Sequence, residues 1–224
     1  MQHKNLARVV LTLLACLAGS LAVIGPAAPA HAAADATISH LTQDATVRTY
    51  GQYVTLKGWV TCCGSSTPGY GANVKLQRRI GSGGWTLFST RTLTDPNRTP
   101  VWKFVPAASA SYRMYYVGTA YTKPSVSPVL TVLVRRNLGT SWNASTRVLG
   151  GKVTPAYAGR AITIQKAACS TCSWSTYKTI LTTSDSRWSV RLPAYSKRTY
   201  FRAYLPPSNG YGGSLTSPVS TLAG

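Results

Sequence analysis

Nucleophilic, acid–base and metal chemistry draw on a short list of side chains, and past residue 36 this sequence holds few of them. His40 is the sole histidine after residue 32, the acids are Asp35, Asp44, Asp95 and Asp185, and there is no glutamate. A serine or cysteine nucleophile needs a base oriented by a third group. His40 falls in an N-terminal lead-in where little order is expected. Glycoside hydrolysis needs two carboxyls across one cleft, yet Asp95 and Asp185 fall in matching turns of two separate repeats. They read as turn formers whose side chains bond nearby amides. Cys169-x-x-Cys172 has ligand-like spacing, but a four-ligand zinc site needs a second pair close by. The expectation is a non-enzymatic protein with no cofactor and no metal.

Charge is the chemistry the sequence does carry. It has 24 lysine and arginine side chains against four aspartates, a formal net charge of +20, and only Lys4 and Arg8 of the basic set precede residue 33. So one-sided a balance attracts polyanions. Candidate partners are anionic polymers or carbohydrate of a cell wall or matrix and anionic lipid surfaces, with nucleic acid held only through non-specific charge. The competing reading is that the excess serves solubility. Nothing in the pattern sets the oligomeric state.

The N-terminus explains where such a protein would work. A basic start, an apolar run from Val9 to Ile24, Gly25-Pro26 and then small residues form a secretory signal peptide over residues 1–32. Cleavage is expected after Ala32, with Ala34 as the alternative. A retained anchor fits poorly, because Gly19, Ser20 and Gly25-Pro26 interrupt the stretch. Acylation at Cys16 ranks second, since Leu14 is a poor residue two places before it. The expected product is secreted and extracellular, without a membrane span. No sorting signal follows Ser217-Pro218-Val219, so association with a cell surface would be non-covalent.

The elements that must position any binding residues show through self-similarity at about ninety residues. Gly58-Trp59-Val60-Thr61 matches Gly151-Lys152-Val153-Thr154, and Val74-Lys75-Leu76-Gln77-Arg78 matches Ile162-Thr163-Ile164-Gln165-Lys166. Trp85 then matches Trp174, Trp102 matches Trp188, Tyr112-Arg113-Met114 matches Phe201-Arg202-Ala203, and Ser127-Pro128-Val129 matches Ser217-Pro218-Val219. Inside the blocks the apolar period is two, as in Val54-x-Leu56-x-Gly58-x-Val60, with turn clusters between. That pattern means half-buried strands, and about seven per repeat suit a Greek-key sandwich.

These blocks resemble the bacterial Ig-like repeat domains of secreted Gram-positive, actinobacterial-type proteins. The resemblance lies in Val54-Thr55-Leu56-Lys57-Gly58, Val74-Lys75-Leu76-Gln77-Arg78-Arg79, Gly84-Trp85 and Ser127-Pro128-Val129-Leu130-Thr131-Val132. It implies an all-β chain of two tandem immunoglobulin-like, fibronectin-III-like sandwiches, residues 33–134 and 135–224, in an extracellular setting. The near-absence of a spacer at Val134-Arg135-Arg136-Asn137 predicts a stiff junction.

Cys62, Cys63, Cys169 and Cys172 allow three pairings. In head-to-tail sandwiches the two cysteine-bearing loops lie at opposite extremities, too far apart for a cross-domain bond. Cys169 and Cys172 replace the Gly81–Gly84 turn, and ends of a four-residue turn can be bridged. Cys62 with Cys63 would close an uncommon strained ring, free or intermolecular thiols being the alternative.

Strand alternation also nominates a face. With Val74, Leu76, Tyr112, Met114 and Tyr116 inward, Lys75, Gln77, Arg113 and Tyr115 point outward, as do Gln165, Arg202 and Tyr204 in the second repeat. Arginine and tyrosine together on an open sheet can hydrogen-bond, stack on rings and attract phosphate. Ordinary cross-strand pairing is the competing explanation. Trp59, facing out opposite a lysine counterpart, is a further contact candidate, whereas Trp85/Trp174 and Trp102/Trp188 read as core. The function expected is a secreted binding or adhesion module, the alternatives being a structural or protein-partner spacer and, last, a small hydrolase.

Overall fold

Apolar and polar residues that alternate along the sequence become buried and exposed side chains that alternate along strands. A computed structural model describes residues 35–62, 71–94 and 99–222, and every helix or strand assigned among them is a strand. The segment read as a signal peptide, Cys63 and Asp95 lie outside the described residues.

Nine strands build the first half: β1 (Thr37–Gln43), β2 (Val47–Thr49), β3 (Val54–Cys62), β4 (Asn73–Arg79), β5 (Thr86–Thr92), β6 (Val101–Phe104), β7 (Ala110–Tyr116), β8 (Ser125–Val126) and β9 (Leu130–Arg135). One sheet runs β1-β3-β6, the other β2-β9-β7-β4-β5 with β8 beside β7. The second half comprises β10 (Asn137–Leu138), β11 (Ser141–Asn143), β12 (Val148–Thr154), β13 (Ala161–Ala167), β14 (Ser175–Leu181), β15 (Arg187–Arg191), β16 (Thr199–Leu205), β17 (Ser214–Leu215) and β18 (Val219–Thr221). There β12 carries β10, β11 and β15, while β13 joins β14 to β16, along which β17 and β18 pair.

Each pair of sheets closes on its own core. Val54, Leu56, Val74, Leu76, Tyr112, Met114 and Tyr116 fill the first, and Leu149, Ile162, Ile164, Phe201, Ala203 and Leu205 the second. Burying each of the larger side chains contributes about 1.5–3 kcal/mol. The protein is therefore all-β, two tandem sandwiches of immunoglobulin-like, fibronectin-III-like type.

Three sequence expectations change. His40 is in regular structure: it sits in β1 opposite Trp59, ring stacked on ring at 4.8 Å. Gly58 and Gly151, matched by sequence, do not correspond in register. Trp102 faces Leu56, two residues before Gly58, whereas Trp188 faces Gly151 itself. A slip of two residues preserves the inward face, so both registers fit the same pattern. Finally, the hairpin turn between β4 and β5 closes at Ile80–Gly83, where the Gly83 amide donates to the Ile80 carbonyl, one residue earlier than the Gly81–Gly84 expectation.

Between β9 and β10 stands a single residue, Arg136, 4% exposed. Its guanidinium lies 4.0 Å from the Tyr211 ring centre and 5.0 Å from that of Tyr157. Nη1 donates to the Ser208 carbonyl at 3.0 Å and to its hydroxyl at 2.9 Å. Burial pulls the Arg136 pKa below the ordinary arginine value. The loop that holds it also grips the first half. Tyr211 packs against the first core and donates to the Ala107 carbonyl, and the Gly212 amide donates to Val134 O at 2.8 Å. Gly212 packs closely on the first half, since a Cβ there would stand 3.0 Å from three side-chain carbons of Leu133, which would have to shift to admit it.

Candidate binding face

The outer face of β4 and β7 is where the nominated residues meet. Cross-strand register sets Gln77 opposite Arg113 and Lys75 opposite Tyr115, all half-buried. Arg113 Nε donates to Gln77 Oε1 at 2.8 Å. The second half repeats the arrangement: Gln165 faces Arg202, whose Nε donates to Gln165 Oε1 at 2.8 Å, and Tyr204 stands opposite Thr163. Among the described residues, no hydrogen bond of Arg113 or Arg202 within the protein uses a terminal nitrogen.

Sequence reasoning missed the partner of both arginines. Trp85 and Trp174, read as core, are half-buried on this outer face. The Arg113 guanidinium carbon lies 4.4 Å from the Trp85 ring centre, and that of Arg202 lies 4.2 Å from Trp174. Arg79, two residues beyond Gln77, adds a second guanidinium at 4.8 Å from Trp85. The cause of the misreading is a β-bulge. Pairing steps from Leu76–Ser89 to Gln77–Leu87, leaving Phe88 unpaired, and from Ile164–Lys178 to Gln165–Thr176, leaving Tyr177 unpaired. The extra residue turns Phe88 and Tyr177 onto Tyr112 and Phe201 of the cores and re-aims what precedes them. In sequence, Trp85 and Leu87 share one apolar alternation, and both are turned outward, Leu87 being exposed.

Two aliphatic side chains complete the face, also unforeseen. Val126 pairs with Tyr115 and Leu215 with Tyr204, and they are 47% and 52% exposed. Trp102 and Trp188 are core residues, as read, at 3% exposure each. Trp59 lies on the opposite sheet, half-buried and covered on one side by His40, away from the arginine clusters.

Among the described residues, no ion pair to an acid is made by the arginines of this face. Among the described residues the ion pairs are Arg48–Asp44 and Arg187–Asp185, each at 2.8 Å, and neither touches it. Asp185 caps its turn, accepting from the Thr183 hydroxyl and from Arg187 Nε, which hold its carboxyl below the usual range. Both arginines instead use a neutral amide and an indole ring. Such cation–π contacts contribute about 0.5–1 kcal/mol at exposed sites.

Cys169 and Cys172 form a disulfide across a turn with their Cα atoms 5.1 Å apart. Cys62, the last residue of β3, is also disulfide-bonded; a Cys62–Cys63 link falls partly outside the described residues. The Cys169–Cys172 bond and the fold fit an oxidising, extracellular setting. No helix among the described residues is long and apolar enough to cross a membrane, and no group of three or more His, Cys, Asp or Glu there could hold a metal ion.

The fold defines a class, the tandem β-sandwich of immunoglobulin-like, fibronectin-III-like type. No protein-family model and no curated protein matches the chain. Among solved structures, a two-domain fibronectin type-III segment of chicken tenascin aligns with 80% of this chain and 94% of its own, at 12% identity and a TM-score of 0.45. A marsupial T cell receptor aligns over 83% of this chain and 62% of its own, at 12% identity and a TM-score of 0.36. The FN1–FN3 domains of chicken CNTN1 align over 84% of this chain and 67% of theirs, at 14% identity and a TM-score of 0.31.

Proposed function

We propose that this is a secreted, non-catalytic binding module for anionic polymers, composed of residues 33–134 and 135–224 after removal of a signal peptide. The observation that carries the reading is the twice-built cluster of Gln77, Arg113 and Trp85, and of Gln165, Arg202 and Trp174. In each, glutamine accepts from the guanidinium Nε and the guanidinium carbon lies over the tryptophan ring. The two terminal nitrogens remain for an oxyanion, which a planar fork binds bidentately. The 22 basic residues that follow residue 32, against four acids, raise the local concentration of such a ligand.

Retention on immobilised polyanion at two salt concentrations tests it. Binding should weaken steeply with salt, because each contact releases counterions. Arg113→Ala with Tyr115→Ala should weaken it more than Lys123→Ala with Lys152→Ala, two exposed lysines off this face. Because the lysine pair removes two charges and the arginine–tyrosine pair one, a greater loss in the lysine pair would leave bulk charge as the whole effect. The spacer reading has one observation in its favour, the interlocked junction at Arg136, and it prevails if wild type binds no polyanion at low salt.

A further inference from the structure

We infer that the two arginine clusters engage one ligand chain at the same time, and that the ligand is an acidic polysaccharide. This rests on the binding reading above and goes further in naming what is bound.

The first support is duplication of the site itself. The bulge, the hairpin tryptophan, the glutamine and the arginine recur together, and so does the outward tyrosine with an exposed aliphatic neighbour. A single small anion occupies one cluster and gains nothing from the second. A polymer with an anion on successive units gains from both.

The second support is the junction. One residue separates β9 from β10, and that residue is buried, stacked between Tyr157 and Tyr211 and bonded to Ser208. The Gly212 amide and the Tyr211 hydroxyl tie the same loop to the first half. A polymer long enough to span both clusters, once held at one, meets the other as an intramolecular event. Effective concentrations for short connections are of millimolar order, and the gain in avidity is roughly a hundredfold or more.

The third support is what stands beside each fork. Tyr115 follows Arg113 two places along the same face, with Val126 against it; Tyr204 follows Arg202, with Leu215 against it. A uronate ring presents both complements, a carboxylate for the guanidinium and a C–H face for the tyrosine and aliphatic pair. A bare phosphate chain presents only oxygens. The first copy adds Lys75 and Arg79 where the second has Thr163 and Ala167, so it contributes the more salt-sensitive half.

Titration calorimetry of the full processed chain, with galacturonate oligomers of graded length, polygalacturonate, and polyphosphate of matched charge, tests this. Half-saturation expressed per uronate should improve at least about tenfold once the oligomer is long enough to reach both clusters. Arg113→Lys and Arg202→Lys keep the charge and remove the fork; each should abolish the length gain while short oligomers still bind at the intact cluster. Unchanged thermal midpoints in both variants show that the fold survives. Affinity per uronate that is independent of length overturns the two-cluster inference and leaves the binding module standing. Polyphosphate binding as tightly as polygalacturonate at matched length overturns the sugar assignment alone. If neither polymer binds at low salt, the binding reading falls with it.

Discussion

The hairpin between β4 and β5 and the hairpin between β13 and β14 perform the same task with different chemistry. Each closes a four-residue turn with a backbone hydrogen bond, Gly83 to Ile80 in one and Cys172 to Cys169 in the other, and each delivers a tryptophan two residues later onto an arginine. The first relies on Gly81 at φ +55°, a left-handed conformation natural to glycine. The second uses a covalent bond. The position of the tryptophan is what the two hairpins share, and the means of closing the turn is free to differ.

The sharpest test of copy against copy concerns the glycines that sequence matching equates. A Cβ on Gly151 would stand 1.7 Å from the Gly139 carbonyl oxygen, which is backbone, while a Cβ on Gly58 would meet Met114 Sδ at 2.4 Å, the mobile end of a side chain. Gly151→Ala should therefore destabilise by about 3 kcal/mol or more, and Gly58→Ala by about 1–2 kcal/mol. Urea unfolding measures both; equal losses would show that the register difference has no energetic meaning.

Next come the hairpins. Cys169→Ser with Cys172→Ser frees a short loop and should cost about 2 kcal/mol. Gly81→Ala, forced to hold a left-handed conformation, should cost about 1 kcal/mol. Indole fluorescence should report a displaced Trp174 in the first case and a displaced Trp85 in the second. Destabilisation with neither tryptophan disturbed would separate turn closure from ring placement.

Acid should have the smallest effect, and a similar one in both copies. At Asp44 burial alone would raise the pKa, but the Thr55 amide and Arg48 outweigh it; at Asp185 the Thr183 hydroxyl and Arg187 lower it. Both folded-state values lie below the unfolded ones. The stability they supply is complete above the unfolded carboxylate pKa and disappears as pH falls through the folded one. Thermal midpoints should be level from neutral pH to about 5 and decline only below about 4. Asp44→Asn and Asp185→Asn should each flatten that decline. A large drop above pH 5 would point to another titrating group.

Much of the fold was legible because period two survives in β3, β4, β7, β13 and β16, where each apolar position is paired across the sandwich. The arginines and glutamines were legible for the same reason. Trp85 and Trp174 were not, because a bulge changes which face a residue takes without changing composition. His40 was set aside because a strand of mixed composition such as β1 carries a weak alternation of its own and is fixed by its pairing with β3. The junction was hidden as well, since Arg136 meets Ser208 across 72 positions of sequence.

That junction bears on how the molecule comes into being. Tyr211 and Gly212 cover part of the floor of the first sandwich, yet they are made about eighty residues after its last strand, β9, begins at Leu130. A chain emerging N-terminus first has the first sandwich waiting with that floor uncovered until the second has been largely synthesised. The buried guanidinium, charged throughout, is solvated by water until the two tyrosines close around it. Completion of the second half is thus the step that finishes the first.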